Sequence, residues 1–137
     1  MPPLSRWLIK CGFVSLALAL LLELLQLRPV TLLPRLPAAA LHLGAIHLLT
    51  VGWLLQLIIG VAFWMFPRHP TRPPRGDERL GWWALGLINS GLLLRLVGES
   101  WRLGFQGPAW PLVASALLQL AGVSVAVLLI WPRVRAT

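Results

Sequence analysis

The sequence predicts an all-α integral membrane protein, a bundle of four transmembrane helices with both termini in the cytoplasm. Three observations lead there. Of the 137 residues, 58% are hydrophobic and 12% charged, and the mean hydropathy is +0.79, well beyond the soluble globular range. Four apolar runs each approach the roughly 20 residues that a helix needs to cross a bilayer. Proline, glycine and tryptophan punctuate the chain where such spans should end.

The first span is expected over residues 7–27, opened by Arg6 and Lys10 and interrupted by Glu23. A small-residue stretch follows at 37–40, far beyond the usual length of a cleaved leader, and Glu23 interrupts the apolar core, so the span is expected to be retained. Pro29, Pro34 and Pro37 break the first connection, and the second span covers 39–66. Pro67, Pro70, Pro73 and Pro74 break the next connection, the third span covers 80–97, and Gly104, Gly107 and Pro108 close it. The fourth covers 109–131 and is expected to stop at Pro132. Six of eight tryptophans, Trp7, Trp64, Trp82, Trp83, Trp110 and Trp131, fall at these ends, where an amphipathic indole prefers to lie. The longest polar stretch, 67–79, is too short to bury a core, so the chain is a single membrane domain.

The net charge of +8 comes from eleven arginines and one lysine against four acids. In a soluble chain such a balance would suggest nucleic acid. Here the cations sit between apolar runs, the placement that suits anionic headgroups, and nucleic-acid binding is not expected. One face collects Arg6, Lys10, Arg68, Arg72, Arg75, Arg79, Arg133 and Arg135; the other has Arg28, Arg35 and Arg102. The positive-inside rule therefore puts both termini in the cytoplasm. Cys11 is the one cysteine, which excludes an internal disulfide and leaves it a packing residue.

Polar residues inside a span are costly and mark candidate sites. Glu23 and Gln26 lie at the outer end of the first span, His42 and His47 at the outer end of the second, and Arg95 and Glu99 at the outer end of the third. The plainer account of Glu23 with Gln26, Arg95 with Glu99, and His42 is that they snorkel to the headgroups. His47 is different, because at ~1.5 Å per residue it lies about 12 Å along the helix from Ala39. An imidazole there calls for a ligand or a buried hydrogen bond. His69 falls in a polar loop and is expected to be solvated.

Five residues apart, the two histidines point about 140° away from each other at about 100° per residue. They cannot chelate one ion as an i, i+4 pair does. On a regular helix His42 shares a face with Trp53, Gln56, Gly60 and Trp64, and His47 with Val51, Leu54, Ile58, Val61 and Met65. The aliphatic His47 face suits a flat apolar ligand such as a haem. A copper or zinc site held by His47 and His42 would need at least one more strong ligand, from Glu23, Glu99 or a second subunit. The small-residue pair Gly86 and Ser90, and the stripe Ser115, Gln119, Gly122 and Ala126, are expected to be helix-packing surfaces. No nucleophile with its base, phosphate loop or catalytic carboxylate pair is present.

The segment from His42 to Arg68 resembles the second transmembrane helix of haem-copper oxidase catalytic subunits and their nitric oxide reductase relatives. It shares an early histidine, Gly52 and Trp53 after it, the stretch Gly60 to Met65, and a closing Pro67 and Arg68. Closer still are small four-helix membrane proteins described as oxidase-subunit-like. More weakly, residues 92–100 resemble a segment of membrane proteins of nitric oxide metabolism. The resemblance covers about thirty residues and implies a b-type haem ligated by His47 near the outer face of a prokaryotic inner membrane. With three histidines and no tyrosine, the chain lacks the family's copper-ligating cluster and its tyrosine, so oxygen reduction by the usual mechanism is not implied. In that family three four-helix arcs surround the cofactor pores. One chain equals one arc, which implies a homotrimer with His47 of one copy and His42 of the next at a shared site, and with Arg95 on a propionate; a twofold dimer is the alternative. Electron transfer or binding of a gas such as NO or O2 would follow. Copper or zinc handling, or a structural role as an accessory subunit, are the competing expectations.

Overall fold

A computed structural model describes residues 1–26, 37–67 and 75–134. Four helices carry the fold: α1 (Pro3–Gln26), α2 (Ala38–Met65), α3 (Glu78–Phe105) and α4 (Trp110–Val134), each long and apolar enough to cross a membrane. The expectations for Arg28, Arg35, Arg68, Arg72, Arg135 and His69, and for most of the proline breaks, fall outside the described residues.

The ends of the helices have local causes. α1 starts four residues before the expected Trp7, with Pro3 in its first turn, where a missing N–H costs nothing. Asp77 caps α3 by accepting from the Arg79 N–H at 2.9 Å. α3 then runs to Phe105, eight residues beyond the expected end, because Glu99, Ser100 and Arg102 lower the hydropathy before the backbone stops being helical. Gln106 ends it in the left-handed conformation (φ 52°), with the Gly107 N–H donating to the Trp101 carbonyl. Pro132 does not end α4, which continues to Val134. The adjacent Arg133 explains this: it is fully buried and donates to the carbonyls of Phe63, Phe66 and Pro67 at the end of α2. These are orphan helix-terminal acceptors, and holding them pins the last turn of α4. Its guanidinium also stands 5.2 Å from the Phe63 ring centroid. The sequence placed Arg133 among the headgroup arginines; it lies instead inside the bundle.

α2 is not regular. Residues Leu48–Leu55, directly after His47, are wound as a π-helix, a conformation found mostly as short interruptions at functional sites. At either end of this stretch a side chain competes for the backbone ladder, as Thr50 donates to the Ile46 carbonyl and Gln56 to that of Gly52, both at 2.8 Å. The wider winding breaks the 100° bookkeeping. His42 is exposed whereas Gln56 and Gly60 are buried, so the face expected to hold all three is split.

Consecutive helices pack as neighbours, α1 on α2, α2 on α3 and α3 on α4. α1 also touches α3 and α2 touches α4, and Leu4 of α1 and Leu129 of α4 both reach Gly81 of α3. The apolar core of the bundle is built from Leu4 and Leu8 of α1, Phe63 of α2, Ile88 and Leu92 of α3, and Leu129 of α4. That core occupies the end of the bundle where α1 and α3 begin and α2 and α4 finish. The expected α4 stripe does pack on α3: the Ser115 hydroxyl donates to the Gly91 carbonyl at 2.8 Å, and Gln119 donates to Ser115. Gly122 and Ala126 continue it, both buried. The Gly86 and Ser90 pair does not, because Ser90 is exposed and nothing lies within 4 Å of where a Gly86 Cβ would be. Gly91, one position round the helix, takes that role.

Candidate functional site: a polar belt opposite the apolar core

The expected polar residues converge, in two groups. His42 turns toward α1, where its Nδ1 donates to Glu23 Oε1 at 3.0 Å. His47 turns toward α3: its Nδ1 donates to the Leu43 carbonyl at 2.9 Å and stands 3.9 Å from Glu99 Oε1. The same Glu99 oxygen accepts from Arg95 Nε at 2.6 Å, the i, i+4 pairing that the spacing implied. Three helices thus contribute, as expected, and the two imidazoles diverge.

Burial separates the members. Glu99 is 3% exposed, so it does not snorkel, and its Oε2 is buried without a partner among the described residues. The side chains of His47 and Arg95 are about a quarter exposed, at 25% and 24%, while Glu23 and His42 are more open at 39% and 55%. Close packing makes the burial of Glu99 possible. Gly44 leaves room on α2, and a Cβ there would lie 3.9 Å from Glu99 Oε2 and 2.7 Å from Leu96 Cδ2.

The hydrogen bonds fix what the imidazoles can do. A carbonyl can only accept, so Nδ1 of His47 carries the proton and Nε2 keeps its lone pair in the neutral ring. At His42 a carboxylate takes the place of the carbonyl as the Nδ1 acceptor. Metal-ligating histidines are oriented in this way, the far nitrogen tied to a carbonyl or carboxylate and the near one free. Among the described residues no three His, Cys, Asp or Glu side chains gather into a grouping able to hold a metal ion. His47 and Glu99 lie apart from His42 and Glu23, so the four-residue copper or zinc site is not assembled within one chain.

Two polar features escaped the sequence reading. Gln56 of α2 is fully buried and exchanges hydrogen bonds with Asn89 of α3: Gln56 Nε2 donates to Asn89 Oδ1, and Asn89 Nδ2 donates to Gln56 Oε1. A carboxamide near the middle of each of two consecutive spans was the available signal. The other is the indole of Trp53 within the π stretch, whose Nε1 is buried without a partner among the described residues. No protein-family model, curated protein or solved structure matches the chain.

Proposed function

We propose that this chain is a b-type haem-binding membrane protein akin to one arc of the haem-copper oxidase and nitric oxide reductase catalytic subunits, serving electron transfer or the binding of a small gas such as NO or O2. The observation that supports it is the state of the two imidazoles, each with Nδ1 held by an internal acceptor and Nε2 free to ligate. His47 would hold the haem iron. A second imidazole, His42, comes from a neighbouring copy, since within one chain the rings point to different helices. Arg95, held through Nε by Glu99, keeps its terminal nitrogens for a propionate. When bound, the haem supplies one-electron exchange or a coordination position for a diatomic ligand.

The oligomer rests on the resemblance: one chain would equal one four-helix arc and three would close into a ring, with a twofold dimer as the alternative closure. The resemblance points to the cytoplasmic membrane of a prokaryotic cell, and the arginine distribution supports both termini facing the cytoplasm. An absorption spectrum of the detergent-solubilised protein, expressed with haem supplementation, tests the reading. A Soret band with split low-spin bands on reduction is expected, and no Soret band at all would overturn it.

A second reading has its own support. The carboxylate-oriented His42 is also the arrangement of a copper or zinc ligand, completed by another copy. About one copper or zinc per chain by elemental analysis, with no stoichiometric iron, is its signature.

A further inference from the structure

α1 and α3 converge at one end, where Leu4 lies against Gly81, and again where Leu22 and Leu96 both reach the Gly44 position of α2. Between these contacts lies a cleft of about 220 Å³, floored by Leu48 and walled by Cys11, Val14, Leu18, Leu92 and Leu96. Its lipid-facing rim is formed by exposed Val14 and Leu93. Trp7 and Lys10 line the end toward the N-terminus, with the Lys10 ammonium 5.5 Å from the Trp7 ring centroid. Arg6 is exposed one residue earlier, and α1 holds no acidic residue before Glu23.

We propose that this cleft seats one acyl chain of an anionic phospholipid whose phosphate is held at Lys10. The dimensions agree. From Lys10 to Leu18 the wall rises about 12 Å at ~1.5 Å per residue, inside the roughly 15 Å half-thickness of the hydrocarbon core, so a chain anchored at Lys10 can fill the cleft within one leaflet. The chemistry agrees too, because the walls are almost wholly apolar while the mouth is cationic. A lysine stem lying along apolar surface with its head at the interface is suited to a phosphate. The inference depends on neither the haem nor the oligomer.

Cys11, the single cysteine, lines the cleft and reports on its occupancy. The experiment reconstitutes the full chain in nanodiscs of phosphatidylcholine, with or without phosphatidylglycerol. Retained lipid is counted by native mass spectrometry, and N-ethylmaleimide labelling of Cys11 is followed in parallel. One phosphatidylglycerol per chain is expected, preferred about fivefold over phosphatidylcholine, with Cys11 labelling slowed when it is present. Lys10→Gln, at an exposed position, should remove the preference, and Cys11→Phe should fill the cleft and release lipid of either kind while far-UV circular dichroism stays unchanged. Equal retention of the two lipids by the wild type overturns the proposal. So does retention that leaves Cys11 labelling unaffected, which would place the lipid elsewhere.

Discussion

Gln56 Nε2 lies 3.2 Å from Asn89 Oδ1, and Asn89 Nδ2 lies 3.1 Å from Gln56 Oε1, so two amides on neighbouring helices donate to each other in both directions. Each also donates to a carbonyl on its own helix, Gly52 for Gln56 and Leu85 for Asn89. Interhelical hydrogen bonds in membranes average ~0.6 kcal/mol, so the clasp itself contributes about 1 kcal/mol. Removing one partner costs more, because it leaves a buried amide half satisfied. Asn89→Leu should destabilise the bundle by about 2 kcal/mol in detergent unfolding followed by circular dichroism. The Gln56→Leu, Asn89→Leu double variant should lie closer to wild type than the sum of the singles. Strict additivity would mean the amides do not act as a pair.

Arg133 offers a second test. Its guanidinium serves three carbonyls at the end of α2, and a hydrogen bond to a charged group is worth about 1.5–3 kcal/mol. Arg133→Met should destabilise the protein by about 3 kcal/mol or more. Arg133→Lys should recover only part of this, since a point ammonium does not reproduce the fork. A surface arginine would show neither loss, and near-equality of all three proteins would sink the assignment.

Haem ligation makes a spectroscopic prediction, offered as a hypothesis from the orientation of the imidazoles. His47→Ala should abolish the Soret band of the purified protein. His42→Ala should keep it but turn the spectrum from low-spin toward high-spin as one axial imidazole is lost. Glu23→Gln, which removes the carboxylate behind His42, should weaken that ligation about 10–100-fold. Identical spectra for the wild type and the His42→Ala variant would remove His42 from the site.

Two glycines separate a packed helix face from an open one. A Cβ at Gly122 would lie 2.8 Å from Ile88 Cγ1 and 3.0 Å from its backbone nitrogen, while one at Gly86 meets nothing within 4 Å. Gly122→Ala should therefore cost about 1–3 kcal/mol by forcing α3 and α4 apart. Gly86→Ala should be stabilising by a few tenths or more through helix propensity. Unfolding midpoints of the monomer in detergent decide it; a destabilised Gly86→Ala monomer would contradict the geometry.

The fold was largely legible because bilayer thickness and backbone saturation allow few alternatives to a row of apolar helices. The Arg95 and Glu99 pair was legible for a similar reason, as four residues on one helix fix the neighbourhood. His42 and Glu23 met because the adjoining ends of two consecutive helices must share a level. Arg133 was misread because its sequence position, just past an apolar run, is also where a headgroup arginine stands. Only tertiary packing turns it toward the end of α2. Gln56 was assigned to the wrong face because periodicity presumes one winding throughout, and no rule of spacing announced the π stretch. Gly86 and Ser90 show the limit of counting small residues, since Gly91, with Leu87 and Arg95 four positions away on either side, makes the close approach through its fit to Ser115.

The π stretch has one more consequence. By changing the angular advance per residue midway along α2, it uncouples the azimuth of His47 from that of Gln56 and Phe63. The first half of the span is thus free to aim its imidazoles while the second half keeps its packing on α1 and its hydrogen bonds to Asn89 and Arg133. A single helix in this way carries two orientations, and substitutions that re-aim one need not disturb the other.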